Sequence, residues 1–322
     1  MAVINENWVF VETDLQKINP VTYQLLTKMK QISHDPVVAV LIEKSDASLE
    51  TELAEYGPDK ILLIKDDELV DGDDLELTDA LNKLIQKQGT PNTFIFPATV
   101  VGRSVAPRLQ AWLRTGLTAD CLDLKFEGDL LIQTKPSYGD NIMCEITIPN
   151  NHPQMATARP NVFAAEKQTN SNLKVEEIEN LDWEKDSKLV IKSQLLPPKT
   201  TDDITQAERI VALGRGDKTD AGITVANNLA KKLHATVGVT RPLTDLDQYT
   251  VNEQIGQSGQ TVAPDLLVNL GVSGAVQYTA GIANAKVVVS VNTDEHAQIF
   301  KYSDYYFVGN ALEFSRALEA IL

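Results

Sequence analysis

The sequence predicts an α/β protein built from two doubly wound parallel-sheet domains, the first carrying additional β-strands. Three observations predict it. Short β-branched runs alternate with amphipathic segments as far as Leu113. A strand-rich stretch follows, from Leu122 to about Leu196. The alternation then resumes after Pro197-Pro198 and continues to the C-terminus.

Trp8–Val11 is the first strand, and Val21–Ile32 is a helix with Leu25, Leu26, Met29 and Ile32 on one side. Val37–Ile42 and Lys60–Ile64 are the next strands. Thr78–Gln88 is a helix stopped by Gly89 and Pro91. Thr93–Phe96 is a strand and Ser104–Leu113 a helix. This order demands crossovers and hence parallel pairing. Beyond it, Leu122–Phe126, Leu130–Lys135, Met143–Ile148, Gln154–Thr157 and Leu189–Leu196 read as strands that extend or cover the first sheet. Gly128-Asp129 suits a hairpin turn. Glu176 to Lys188 reads as an acidic surface loop.

Pro197 to Asp203 reads as a linker, so the expected domains are 1–196 and 205–322, joined by 197–204. In the second, Arg209–Leu213, Thr236–Val239, Leu266–Leu270, Val287–Val291 and Tyr305–Val308 are strands. A helix runs from Thr219 to His234, and a further helix is expected to start at Ser273-Gly274.

Composition excludes several classes. The 322 residues suit two domains, and 43% apolar content can build their cores. A net charge of −16 repels nucleic acid. Cys121 and Cys144 sit in apolar surroundings and read as buried thiols, not as a disulfide framework. The four histidines are scattered, with no metal-ligand spacing. No apolar run is long enough to span a bilayer, and residues 1–28 read as neither a transit nor a secretion signal, so a cytoplasmic location is expected.

Ligands of open parallel sheets sit beyond the carboxyl ends of the strands. There the second domain carries Gly214-Arg215-Gly216, Thr240-Arg241-Pro242, Gly271-Val272-Ser273-Gly274, Asn292-Thr293-Asp294 and Gly309-Asn310. The glycine-rich loop Gln254-Ile255-Gly256-Gln257-Ser258-Gly259 would join them. Each has a plain alternative: a turn for the Gly-Arg-Gly run, an exposed loop for Arg241, and caps or turns for Ser273, Asn292 and Asn310. Two arginines, helix N-termini and several hydroxyls and amides on one edge describe a site for a nucleotide with a pyrophosphate. The pattern leaves FAD, NAD and a CoA-like ligand open.

The chain resembles the alpha subunit of electron transfer flavoprotein along essentially its whole length. The motifs that carry the resemblance are Gly214-Arg215-Gly216, Val239-Thr240-Arg241, Gln254 to Gly259, Val262-Ala263-Pro264, Gly271 to Gln277, and Val291-Asn292 followed by Ile299-Phe300. In the first domain Gly102 to Arg108, Gly116 to Cys121, Lys135 to Gly139 and Thr157 to Pro160 add to it.

The resemblance implies that the second domain binds FAD and that the chain pairs with a beta subunit. It implies electron transfer from acyl-CoA or other dehydrogenases to a downstream acceptor, without substrate chemistry of its own. Carried over by motif, Arg215, Ser273, Gly274, Ala275 and Val276 would lie along the pyrophosphate. Gln277 continues that run. Ile255, Gly256 and Gln257 would bring Ser258 to the flavin N5. Thr240 would present Arg241 to the isoalloxazine ring. Asn292, Asn310 and Ala311 would face the adenosine half. Tyr278 stands where many relatives have a histidine directed at the flavin O2. A phenol cannot readily become a cation, so weaker stabilisation of the first added electron is expected. Gln260 stands for a frequent lysine and Asn310 for a frequent aspartate. Arg103, Arg108 and Arg159 are expected either to face the beta subunit or to pair with acidic neighbours within this chain. A nucleotide-binding assembly subunit with a structural or regulatory cofactor is the alternative function. The lack of a convincing general acid or base disfavours a self-sufficient flavin oxidoreductase.

Overall fold

A computed structural model describes residues 2–14, 17–137, 142–168, 170, 172–185, 203–246 and 248–322. The chain divides into two compact units, Met1–Leu195 and Leu196–Leu322. Most of the expected linker and the whole expected strand Leu189–Leu196 lie outside the described residues.

In the first unit the elements are β1 (Val3–Phe10), α1 (Val21–Ile32), β2 (Val37–Glu43), β3 (Lys60–Lys65), α2 (Asp74–Gln88), β4 (Thr90–Pro97) and α3 (Val100–Leu113). They continue with β5 (Leu117–Cys121), β6 (Asp123–Glu127), β7 (Leu130–Ser137), β8 (Ile142–Ile146), β9 (Gln154–Ala158) and β10 (Lys174–Glu177). Seven strands form one parallel sheet in the order β10-β3-β2-β1-β4-β9-β5. Successive strand residues point to opposite faces, which splits the core into two layers. Val9, Ala39, Leu41, Ile61 and Ile95 pack with α1 on one face. Trp8, Val38, Val40, Leu62, Phe94 and Phe96 pack with α2 and α3 on the other.

Several boundaries differ from expectation for identifiable reasons. Helix α2 starts four residues early because Asp73 and Glu76 form a capping box. Helix α3 starts at Val100 because the Thr99 hydroxyl accepts from Gly102 N at 3.1 Å. Of the later strands, β9 enters the main sheet between β4 and β5, whereas β6, β7 and β8 form a separate antiparallel sheet. The Gly128-Asp129 turn joins β6 to β7, with Gly128 at φ 61°. The expected acidic loop is a loop only in part. Glu176 and Glu177 belong to β10, which pairs with β3, and Ile178 is buried. Cys121 is buried as expected, but Cys144 is only half-buried because β8 packs less completely. Arg103 pairs with the acidic Asp120 at 3.0 Å, whereas Arg108 donates to the Ser104 carbonyl of its own helix at 2.7 Å rather than to an acidic neighbour.

The second unit comprises β11 (Arg209–Leu213), α4 (Asp220–Leu233), β12 (Thr236–Val239), β13 (Leu266–Leu270), α5 (Val276–Thr279), β14 (Val288–Asn292), β15 (Tyr305–Val308) and α6 (Ala311–Glu319). Its sheet is wholly parallel, in the order β12-β11-β13-β14-β15. Ile210 and Ala212 face a core that includes Ile255, Tyr278 and Ile299. Val211 and Leu213 face α4, with Ala311 in the same cluster. Ile204, in the last residue of the expected linker, is buried in the first of these cores. Among the described residues no helix is long and apolar enough to cross a membrane, and no group of three His, Cys, Asp or Glu side chains could hold a metal ion.

Candidate functional site

Strand order reverses between β11 and β13, and the loops beyond their carboxyl ends lie side by side. Gly214 N donates to Leu270 O at 2.8 Å and Gly216 N to Gly271 O at 3.2 Å. A Cβ on Gly214 would lie 2.2 Å from Gly271 O, so no other residue permits this approach. The neighbouring strand ends continue the ladder. Thr240 N donates to Leu213 O at 3.0 Å, Gly271 N to Val291 O at 2.9 Å and Gly309 N to Asn292 O at 3.0 Å. All five strand-end loops therefore lie along one edge of the sheet.

The loop 254–262 joins this edge through the backbone. Val239 N donates to Glu253 O and Ile255 N to Val239 O, which extends β12. Gln257 N donates to Gln277 O at 2.7 Å and Val262 N to Gly281 O at 2.8 Å. Gly256, at φ 133°, passes so close that a Cβ would meet Gln277 O at 2.5 Å. Within the loop, Gln254 Nε2 donates to Ser258 Oγ at 2.8 Å.

The next turn carries the clearest chemical signal. The backbone N–H groups of Ser273, Gly274, Ala275, Val276 and Gln277 donate to no acceptor among the described residues. Ser273, Ala275, Val276 and Gln277 are exposed. Five consecutive unsatisfied donors at a strand-order reversal suit an anionic group, phosphate above all. Arg215, also exposed, adds a full positive charge on the adjoining loop. The donor set thus fits the pyrophosphate of a dinucleotide. The expected helix N-terminus is a correction: α5 is a single turn whose N-cap is Ala275, with no side-chain cap. So short an element has little macrodipole, and its attraction for an anion comes from the N–H groups themselves.

Other expected site residues take definite places. Arg241 is exposed and bonds to Thr244 Oγ1 and Asp245 Oδ1, both at 2.8 Å, within its own turn. Thr240 Oγ1 lies 3.5 Å from Leu213 O. Asn292 Nδ2 donates to Val272 O at 2.8 Å, and its Oδ1 accepts from Asp294 N. Asn310 caps α6 by accepting from Leu312 N and Glu313 N, and Ala311 behind it is buried. Ile255 turns its side chain into the core, leaving only backbone towards the loop.

Tyr278 is the sharpest departure. Its ring is buried and its hydroxyl donates to Asn269 Oδ1 in the middle of β13. Burial pushes the phenol far above its ordinary pKa, so it is a neutral donor. In this conformation the phenolic proton is committed to Asn269 Oδ1. Two contributors escaped the sequence reading. Ile299 N donates to Ser273 O at 3.1 Å and abuts Gly274, where a Cβ would come within 2.1 Å of that nitrogen. Asp217 lies against Gly271 and Gly222, and desolvation raises its carboxyl pKa. The signal for Asp217 was its place directly after Gly-Arg-Gly. Ile299 stood in the Ile299-Phe300 motif, but nothing in the sequence tied its backbone to Ser273.

Comparison with known proteins agrees with this geometry. Residues 7–183 match the model of the electron transfer flavoprotein domain, and residues 203–283 match that of the electron transfer flavoprotein FAD-binding domain. The chain is 36% identical over 302 residues to the electron transfer flavoprotein subunit alpha of Bacillus subtilis, covering 92% of this chain and 91% of that one. The chain belongs to the electron transfer flavoprotein alpha-subunit family. Protein FixB of Clostridium saccharobutylicum is 34% identical over 313 residues, covering 94% and 92% of the two chains. The lactate dehydrogenase (NAD(+),ferredoxin) subunit LctC of Acetobacterium woodii is 36% identical over 313 residues, covering 95% of this chain and 74% of that one. The matched FAD-binding region contains the loops 214–217, 240–241, 254–262 and 271–281, so the flavin domain of this electron transfer flavoprotein subunit and the free N–H run coincide. Asn292 and Asn310 lie beyond the matched residues.

Proposed function

We propose that the chain holds one FAD in its second unit and, with a beta subunit, relays electrons from an acyl-CoA or other dehydrogenase to a downstream acceptor. It has no substrate chemistry of its own in this reading. The observation that carries the proposal is the run of N–H groups from Ser273 to Gln277, unpaired among the described residues, at the strand-order reversal. These groups and Arg215 hold the pyrophosphate. Gln257 and Ser258 border the flavin ring. Asn310, whose Oδ1 is engaged as a helix cap, keeps its Nδ2 for the adenosine half. Asn292 acts on the ligand indirectly, by fixing the 271–275 loop. FAD supplies the electron chemistry when bound. The protein supplies anion binding, orientation and charge. Among the described residues Arg241 pairs only with Thr244 and the exposed Asp245 of its own turn, so its guanidinium can swing onto the ring at low cost.

Purification of the chain with its beta subunit, followed by visible spectroscopy, tests the proposal. A flavin band that bleaches on reduction and is released as FAD on denaturation is expected. Bound AMP or NAD without flavin would overturn it and favour a nucleotide-binding assembly subunit.

A further inference from the structure

The buried hydroxyl of Tyr278 begins a chain of polar groups that crosses the core of the second unit. Tyr278 donates to Asn269 Oδ1, and Asn269 Nδ2 donates to Ser290 Oγ at 3.0 Å. Ser290 Oγ lies 2.7 Å from Ser303 Oγ, which lies 2.8 Å from the Ile299 carbonyl. A carbonyl can only accept, so the Ser303 proton goes to Ile299 and the Ser290 proton to Ser303. Every donor along the path then has one acceptor. Asn269 and Ser290 are fully buried, and they face each other in the register of β13 and β14.

Both ends of this chain meet loops of the candidate site. At one end, the Tyr278 backbone follows Gln277, whose carbonyl seats Gln257. At the other, Ile299 holds Ser273 O through its own N–H. The geometry points to Tyr278, Asn269, Ser290 and Ser303 as a positioning network that sets the 254–260 and 271–277 loops against each other, with the Tyr278 phenol making no contact to the ligand. This inference rests on the proposed flavin site for its consequence, but the network itself is a property of the flavin-free chain.

The test is amide hydrogen exchange on the full chain, with and without FAD. In Tyr278→Phe the Asn269 oxygen is left buried and unpaired. Exchange at the Gln257 amide is expected to rise about tenfold or more, while the α4 amides keep their protection. Asn269→Ala should give the same result, and the double variant should be no worse than either single one. FAD should bind more weakly to Tyr278→Phe, yet show its visible band at the wild-type wavelength. Unaltered Gln257 exchange in Tyr278→Phe would overturn the network, and a band shift alongside it would place the phenol against the flavin. If Tyr278→Phe does not fold, Ser303→Ala removes the far link and must raise exchange at the Ile299 amide, which donates to Ser273 O, or the proposal falls. A wild-type chain that takes up no FAD even with its beta subunit would refute the proposed function and leave the exchange result to decide the network.

Discussion

Replacing Gly274 by alanine should empty the flavin site by displacing one loop. Gly274 has φ 82°, and a Cβ there would sit 2.1 Å from Ile299 N and 2.5 Å from Ile299 Cα. Those atoms are backbone and cannot rotate away, so the 297–299 segment must retreat and release the Ile299–Ser273 hydrogen bond. The left-handed conformation costs an alanine about 1–2 kcal/mol. Overpacking adds about 1–3 kcal/mol. The lost hydrogen bond adds about 0.5–1.5 kcal/mol. These overlap, which gives about 3–5 kcal/mol. Gly128→Ala is the matched control, because Gly128 has φ 61° and nothing within 4 Å of its Cβ position. It should cost only the conformational part, about 1–2 kcal/mol. The tryptophans assign each effect to its unit. Trp8, Trp112 and Trp183 all lie in the first unit, so their fluorescence follows that unit, while flavin release follows the second. In urea, Gly274→Ala should lower the flavin-release midpoint and leave the tryptophan transition in place; Gly128→Ala should do the reverse and by less. Equal losses in the two variants, or retained flavin in Gly274→Ala, would show that the close approach of Gly274 to Ile299 does not hold the loop.

Three further outcomes are expected. Arg241→Ala should lower the first reduction potential of the bound flavin by about 60–130 mV, the equivalent of a charge-assisted contact of about 1.5–3 kcal/mol. Potentiometric titration reads this, and an unchanged value would mean that Arg241 stays on Asp245. Thiol labelling of the native protein should modify Cys144 and spare Cys121, whose pKa burial pushes up to about 12; labelling of Cys144→Ser at the wild-type rate would contradict it. The same shift makes stability pH-dependent. The unfolded thiol loses its proton near its ordinary pKa and the folded thiol near 12, so stability is intact below about pH 8.5 and falls by up to about 1.4 kcal/mol per unit from there towards pH 12. Cys121→Ala should flatten that part of a denaturation-versus-pH curve.

The parts of the fold that were legible are those where side chains dictate the backbone. Val37–Glu43 is buried at every position and could be little else than a central strand. The missed elements are held by backbone partners. Strand β5 reads Leu-Thr-Ala-Asp-Cys, with Asp120 at φ 61°, and is a strand because β9 lies beside it. Strand β10 carries two glutamates and is exposed throughout, and only its ladder with β3 makes it regular. Propensity cannot reveal such strands, because tertiary pairing overrides it.

The same division runs through the candidate site. The glycines announced their loops, since Gly214, Gly271 and Gly274 follow strands and Gly214, Gly256 and Gly274 make approaches that a Cβ would block. What spacing could not tell was which way a side chain would turn. Asn310 prefers two helix N–H donors, and Tyr278 prefers a buried amide oxygen. For Tyr278 the deciding residue is Asn269, nine positions earlier and in the middle of an apolar run. A polar side chain at the centre of a buried strand must find partners, or it costs about 1–3 kcal/mol. The phenol is the group within reach that satisfies its oxygen, and Ser290 satisfies its nitrogen. An asparagine in that strand therefore predicts an inward tyrosine. A chain in this family with an apolar residue in place of Asn269 should leave the tyrosine hydroxyl without its acceptor and free to turn towards the ligand, so Asn269→Ala is the substitution that should first bring the Tyr278 ring under the influence of the flavin.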